Sequence, residues 1–180
     1  MMNYSTSFRS VLLPLIFIGL SGAAYSAQEE WVKPQQLIVD KSLPQAQLAA
    51  NEAAARKYAT FWNTGTPSLA REALAVNFID KTPPEGRKQG PEGAILASRA
   101  FRTAVPDLRC DVEQMIISGN RVVSHLHFHG TFTGTFGELK GKGQKIDFIA
   151  TDIYEINDGK IVANWHIEDN LTLMKQLGAL

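Results

Sequence analysis

The sequence predicts an α+β domain in which N-terminal helices pack on a curved, mostly antiparallel sheet of four to six strands. Apolar residues recur at helical spacing before residue 104, and strand-like alternation with turn signals fills most of the chain after it. Helices followed by strands are typical of α+β proteins. Because twisted strands curl around the long first helix, we expect a cone whose interior forms a pocket.

Three helices are expected in the first part of the chain. The segment Gln45 to Thr64 is rich in alanine and predicts a long helix. Pro67, after the capping residue Thr66, begins a second helix that extends to about residue 76. Pro91 begins a third helix, which ends near residue 104 before a further proline. The residues at helical spacing in the first helix are Leu48, Ala55, Tyr58 and Trp62.

The extended segments lie mostly in the second half of the chain. A short strand at 77–81 is followed by a proline- and glycine-rich loop at 82–90. Long strands are expected at 108–118 and 121–133, joined by a tight turn at Gly119. Four glycines in residues 134–143 then predict a flexible loop.

The chain from Asp147 to Gly178 predicts a strand hairpin and a closing helix, with Asp169 as its N-cap. We interpret residues 157–159, Asn-Asp-Gly, as a three-residue hairpin loop. This loop would pair Tyr154 with Val162, Asp152 with Asn164, and Ala150 with His166.

This register separates polar from apolar side chains. One face carries Asp152, Asn164 and His166, and a carboxylate, an amide and an imidazole on one face must be paired or used. A two-residue loop would instead set Asp152 opposite Trp165. The other face is nearly all apolar and carries Ile149, Thr151, Ile153, Ile161, Ala163, Trp165 and Ile167.

The composition limits the possible classes of protein. The 180 residues include 18 basic and 18 acidic side chains, a balance that excludes the basic surface of a nucleic-acid-binding protein. One folded domain, residues 45–180, follows an N-terminal arm at 28–44. The single cysteine, Cys110, is expected to be a small buried apolar residue.

The first 27 residues have the pattern of a secretory signal peptide. Arg9 precedes an apolar run, and small residues follow that run. We therefore expect a periplasmic or secreted protein that has no membrane attachment after cleavage.

Three histidines alternate along one predicted strand. His125, His127 and His129 must point to the same side of the sheet. They could form a polar, half-exposed face, place His127 in the pocket wall, or bind a metal ion. No fourth ligand follows from the spacing, so we expect no metal. The sequence also has no glycine-rich phosphate loop, nucleophile elbow or metalloprotease helix, and we expect no cofactor.

Asp152 and His166 form the second constellation. In the preferred register they are diagonal neighbours on one face. A carboxylate next to an imidazole orients it and raises its pKa, which is typical of a general base near neutral pH. The alternative is a structural hydrogen-bonded pair.

Three segments resemble one family. They are AARKYATFWNTGT in the first helix, HGTFTG at the end of the histidine strand, and DIYEINDGKIVANWHIEDNLTLMKQLG at the C-terminus. They are similar to the SnoaL-like polyketide cyclases, or ester cyclases, of the nuclear-transport-factor-2-like (cystatin-like) superfamily. The resemblance covers about residue 48 to the end.

The resemblance implies a dimeric cone with an apolar pocket and a cofactor-free intramolecular aldol reaction. The acid/base aspartate of the family matches His166, and its pocket histidine matches Asp152, so the two residue types are exchanged here. A pocket asparagine of the family matches Asp80, and the histidine of its glycine-threonine segment matches Phe132. The exchanges retain acid/base capacity and change the residues that would meet a substrate.

The combined prediction is a cyclase, isomerase or lyase for a small, carbonyl-bearing, partly apolar molecule. His166 would remove a proton α to the carbonyl and Asp152 would orient it, with Asn164, Asp80, Tyr154 and His127 as substrate-binding residues. A homodimer would form through the apolar face around Trp165 and Ile167. The alternatives are a non-catalytic periplasmic carrier or sensor of a small apolar ligand, and a metal-binding module built on the histidine strand.

Overall fold

The computed structural model describes residues 30–180, so the predicted signal peptide lies outside the described residues. The helices are α1 (Gln45–Thr64), α2 (Pro67–Ala73), α3 (Pro91–Ala104) and α4 (Asn170–Leu177). The strands are β1 (Gln36–Val39), β2 (Leu74–Asp80), β3 (Arg109–Ser118), β4 (Arg121–Phe132), β5 (Thr135–Phe136), β6 (Leu139–Lys140), β7 (Gln144–Asn157) and β8 (Lys160–Glu168). None of the helices in this part of the chain is long and apolar enough to cross a membrane.

Six strands form one mixed sheet in the order β1-β3-β4-β7-β8-β2. The four central strands are antiparallel neighbours, and β1 and β2 join the two edges in parallel. The sheet does not close, and the helices cover its inner face. The predicted α+β class, with four to six strands and a pocket, is confirmed.

Helix α1 packs along the inner face of the sheet because its contact side is small or aromatic. Ala55, Ala59 and Phe61 are fully buried there. The Tyr58 ring packs edge-on against the Tyr154 ring of β7, with 5.8 Å between ring centroids. The helix ends at Gly65, whose positive φ of 75° is the left-handed conformation that glycine adopts most easily.

Three segments differ from the prediction. Helix α2 ends at Ala73, because Leu74 and Phe78 are buried on the same side of an extended segment that pairs with β8. The predicted arm contributes a strand that was not expected, since Gln36–Val39 adds β1 to the edge of β3. The predicted flexible loop at 134–143 contains the small hairpin of β5 and β6.

The β7–β8 hairpin has a different register from the predicted one. Asn157 pairs with Lys160, so the loop is the two residues Asp158 and Gly159, both with positive φ. A bulge next to Glu155 then shifts the pairing by one more residue. As a result Asp152 lies directly opposite His166, whereas the prediction made them diagonal neighbours.

The bulge also corrects the predicted apolar face. Ile161 pairs with Ile156 and is fully buried in the core, so it does not belong to the outer face. The outer face keeps Ile153, Trp165 and Ile167, of which Ile167 is 74% exposed.

The homodimer stays a prediction, which a substitution on the outer face of the sheet can test. Trp165→Glu puts a charge into the apolar surface, so a dimer formed there should dissociate to monomer in sedimentation velocity. Thr135→Glu, on the exposed β5–β6 hairpin, is the matched control and should leave the sedimentation unchanged. A wild-type protein that sediments as a monomer would remove the argument.

Candidate active site

A cavity of about 710 Å³ lies between the inner face of the sheet and the helices. One end of the cavity is aromatic, and the other end carries the charged side chains. The aromatic lining comes from Tyr58, Trp62, Phe101, Phe128, Phe136 and Phe148. The polar end comes from Asp80, Arg87, Asp152, Asn164, His166 and Glu168. Such a cavity suits a small ligand with an apolar body and a polar group.

Asp152 on β7 is the centre of the polar end. It is 1% exposed, and three donors reach its carboxylate. Oδ1 accepts from Asn164 Nδ2 at 2.7 Å and from His166 Nδ1 at 2.8 Å. Oδ2 accepts from the Tyr154 hydroxyl at 2.9 Å. These bonds satisfy a carboxylate that burial alone would destabilise.

His166 on β8 lies between two carboxylates. Its Nδ1 faces Asp152, and its Nε2 lies 3.3 Å from Glu168 Oε2. The backbone of His166 is fixed as well, because Thr82 Oγ1 accepts from its N–H at 2.8 Å and donates to its carbonyl at 2.9 Å. The ring therefore has one defined position at the wall of the cavity.

The two carboxylates decide the charge of His166. Burial lowers the pKa of the imidazole, but hydrogen bonds and charge attraction from Asp152 and Glu168 outweigh it and raise the pKa to about 10. At neutral pH His166 is an imidazolium, which can donate a proton and cannot accept one.

The other predicted site residues have different positions. Asp80 lines the cavity, and its Oδ2 lies 3.4 Å from Arg87 Nη1. Asn164 also lines the cavity. Tyr154 is fully buried, and its hydroxyl donates a hydrogen bond to the Asp152 carboxylate. Burial and the Asp152 charge raise the pKa of Tyr154 well above its ordinary value.

His127 does not belong to the pocket wall, which corrects the prediction. In β4 the residues Val122, Ser124, Leu126 and Phe128 are buried, so the alternating histidines lie on the outer face. The three imidazoles bind outer-face neighbours: His125 to Thr151 at 2.8 Å, His127 to Asp147 at 2.7 Å and His129 to Asp111 at 2.9 Å. Across residues 30–180 no cluster of three His, Cys, Asp or Glu side chains is arranged to hold a metal ion.

Several cavity residues were not assigned to the site from the sequence. Glu168 lies two residues after His166 on the same strand, so the alternation of β8 could have placed it on the same face. Arg87 and the aromatic side chains come from distant elements, and no local pattern brings them together. Phe132 is buried in the core and does not line the cavity.

Comparison with known proteins shows which family the chain belongs to. The family described as SnoaL-like polyketide cyclase matches residues 52–177, so the chain belongs to that family. The sequence matches none of the curated proteins at a significant level.

Solved structures share the fold. A protein of Bacillus cereus ATCC 10987 assigned to the polyketide cyclases is 39% identical, with a TM-score of 0.77 over 84% of this chain and 96% of that one. TsrD from Streptomyces laurentii is 25% identical, with a TM-score of 0.66 over 77% and 99% of the two chains. IdmH from Streptomyces antibioticus, also assigned to the polyketide cyclases, is 23% identical, with a TM-score of 0.64 over 71% and 98%, and shows the fold alone.

The raised pKa of His166 predicts a pH-dependent stability. The pKa is about 10 in the folded protein and 6.5 ordinarily, so the stabilisation is fully present below about pH 6.5 and is lost as the pH rises towards 10. The variant His166→Gln should unfold more easily than wild type by about 2 kcal/mol at acidic pH, and the difference should shrink towards pH 10.

Chemical denaturation at several pH values measures this difference. The variant His127→Gln removes an imidazole from the outer face and serves as the matched control. A difference between wild type and His166→Gln that stays constant or grows with pH would contradict the assigned charge.

Proposed function

We propose that this protein is a cofactor-free acid/base catalyst, of cyclase, isomerase or lyase type, for a small, partly apolar carbonyl compound. The observation that carries the proposal is the position of His166. The ring lies at the wall of an aromatic-lined cavity and is held as a cation by Asp152 and Glu168. A carrier of apolar ligands does not need a charged ring between two carboxylates.

His166 acts as the acid. A carbonyl oxygen that enters the polar end of the cavity accepts a hydrogen bond from the imidazolium, which stabilises negative charge as it develops on that oxygen. Asp152 keeps the ring oriented through Nδ1, so Nε2 is the nitrogen that meets the ligand. The Tyr58 side chain also lines the cavity, and its hydroxyl can add a second donor.

Glu168 is the carboxylate best placed to act as the base. Three donors occupy Asp152, and the Asp80 oxygens accept from Thr82 N at 3.0 Å and face Arg87. Within the described chain, Glu168 has one hydrogen-bond partner, His166, at 3.3 Å. A carbonyl oxygen that takes over Nε2 therefore releases Glu168 as well.

The proposed reaction begins with formation of an enolate in the bound ligand. Glu168 takes a proton from the carbon α to the carbonyl, and the electron pair of that C–H bond moves into the carbonyl to form an enolate. His166 stabilises or protonates the enolate oxygen. In an aldol ring closure the nucleophilic carbon attacks a second carbonyl carbon of the ligand, and the oxygen of that carbonyl takes the proton held by Glu168. In an isomerisation Glu168 returns the proton to another carbon of the enolate. In both cases His166 takes back any proton that it gave to the enolate oxygen as the first carbonyl re-forms.

The lining of the cavity supports the proposed substrate class. Six aromatic side chains favour a flat apolar body, and the charged end favours a carbonyl. Four positions differ from the family's cyclases as the resemblance gives them, since His166 and Asp152 are exchanged, Asp80 replaces an asparagine and Phe132 replaces a histidine. The proposal is therefore limited to a carbonyl compound and does not specify a polyketide. The working location that we propose is the periplasm or the exterior, after removal of the signal peptide.

A second candidate, a non-catalytic carrier or sensor, is favoured by the size and aromatic lining of the cavity. It predicts tight binding of an apolar ligand without turnover. One experiment separates the two functions because it measures binding and proton transfer with the same probe.

Hydrogen–deuterium exchange at the α-carbon of deoxybenzoin (1,2-diphenylethanone) tests the proposal. This ketone has two aromatic rings, one carbonyl and exchangeable α-protons. Wild type should accelerate the exchange in D₂O, as followed by proton NMR. His166→Gln and Glu168→Gln should each reduce the acceleration by about 10²- to 10⁴-fold. His127→Gln, which changes only the outer face, should leave it intact.

The pH profile distinguishes the assigned roles. With His166 as the acid, the exchange rate should fall as the pH rises through about 10. With His166 as the base, the rate should rise over the same interval. Binding of the ketone without any catalysed exchange would contradict catalysis and favour the carrier.

A further inference from the structure

The side-chain carbonyl of Asn164 is a buried acceptor that lacks a donor. Asn164 is 4% exposed and lines the cavity. Its Nδ2 donates to Asp152 Oδ1 at 2.7 Å, which fixes the orientation of the amide, because a carboxylate can only accept. The other branch of the amide, Oδ1, is buried and has no hydrogen-bond donor among residues 30–180.

Buried polar atoms are normally paired, and an acceptor without a donor is costly to leave in place. The other polar atoms next to Asn164 do have partners. Asp152 accepts three hydrogen bonds, and both ring nitrogens of His166 face carboxylates. Four buried side-chain atoms of the described residues lack a partner, and of these Asn164 Oδ1 is the one that belongs to a side chain lining the cavity.

We infer that the ligand of this cavity is a hydroxy-carbonyl compound, whose hydroxyl group donates to Asn164 Oδ1 while its carbonyl oxygen accepts from His166. The carbonyl group of this ligand rests on the proposed function, and the hydroxyl group is the new part of the inference.

The carbonyl and hydroxyl groups must lie close together in the ligand. Asn164 and His166 are two residues apart on β8 and therefore share a face of the sheet. Both donate to the same oxygen of Asp152, so the two side chains lie next to each other. A ligand that meets both needs its hydroxyl on a carbon next to the carbonyl, or one atom further away.

Three related ketones test the inference. Benzoin has a hydroxyl next to its carbonyl, benzoin methyl ether carries a methoxy group there, and deoxybenzoin has neither. Titration calorimetry gives the dissociation constant of each. Benzoin should bind about 10- to 100-fold more tightly than either analogue, because only its hydroxyl pairs the buried acceptor.

Two variants locate the preference. Asn164→Leu removes the acceptor, and the ratio of dissociation constants between deoxybenzoin and benzoin should fall to about one. Asn170→Leu makes the same change in another amide of the cavity lining and should keep the wild-type ratio. If Asn164→Leu does not fold, the wild-type ratios still decide.

The outcomes separate this inference from the proposed function. Equal affinity of wild type for all three ketones would overturn the inference, with a water molecule as the partner of Asn164, and would leave the exchange chemistry of deoxybenzoin untouched. A preference for benzoin that persists in Asn164→Leu would also overturn it. Failure of all three ketones to bind would overturn both the inference and the carbonyl-binding part of the proposed function.

Discussion

The buried carboxylate of Asp152 is the constraint on which the rest of the site depends. A charge that is 1% exposed is tolerated only where donors surround it, and Tyr154, Asn164 and His166 supply them. Two of these donors come from β8, so the carboxylate on β7 connects side chains of both strands of the β7–β8 hairpin at the cavity wall. Removing any one donor would leave part of a buried charge unpaired. A substitution at one of these donors would therefore affect both the stability of the fold and the chemistry of the site.

The same charge sets the chemistry of the site. Asp152 and Glu168 hold His166 as a cation, and the sheet places that cation at the polar end of an aromatic cavity. An imidazolium that is fixed before the ligand arrives has no reorientation to make during the reaction, which is the advantage of a preorganised donor. The resemblance to the family implies an aspartate at the position of His166 and a histidine at the position of Asp152, and under our proposal the ring donates a proton where that aspartate would accept one.

Much of the fold could be predicted because its signals are local. Pro91 begins α3, and Asp169 accepts from the Thr172 N–H at the start of α4, as the capping pattern predicts. The sequence could not reveal the bulge in β8, because its position depends on packing in which Ile161 enters the core. The sequence also left the direction of the His166 pKa shift open, because that direction depends on Glu168 as a second carboxylate. The sequence left the pocket wall as one of three possible environments for His127, because the loop before β7 hides which face of β4 is buried.

The protonation state of His166 at neutral pH tests the central claim most directly. Nitrogen-15 NMR of the histidine rings shows whether each ring nitrogen carries a proton, and the His166→Gln variant assigns the signals. We predict that both nitrogens of His166 are protonated at pH 7 and that the ring titrates with a midpoint near 10. A neutral His166 ring at pH 7, with a midpoint near the ordinary value of about 6.5, would contradict the account.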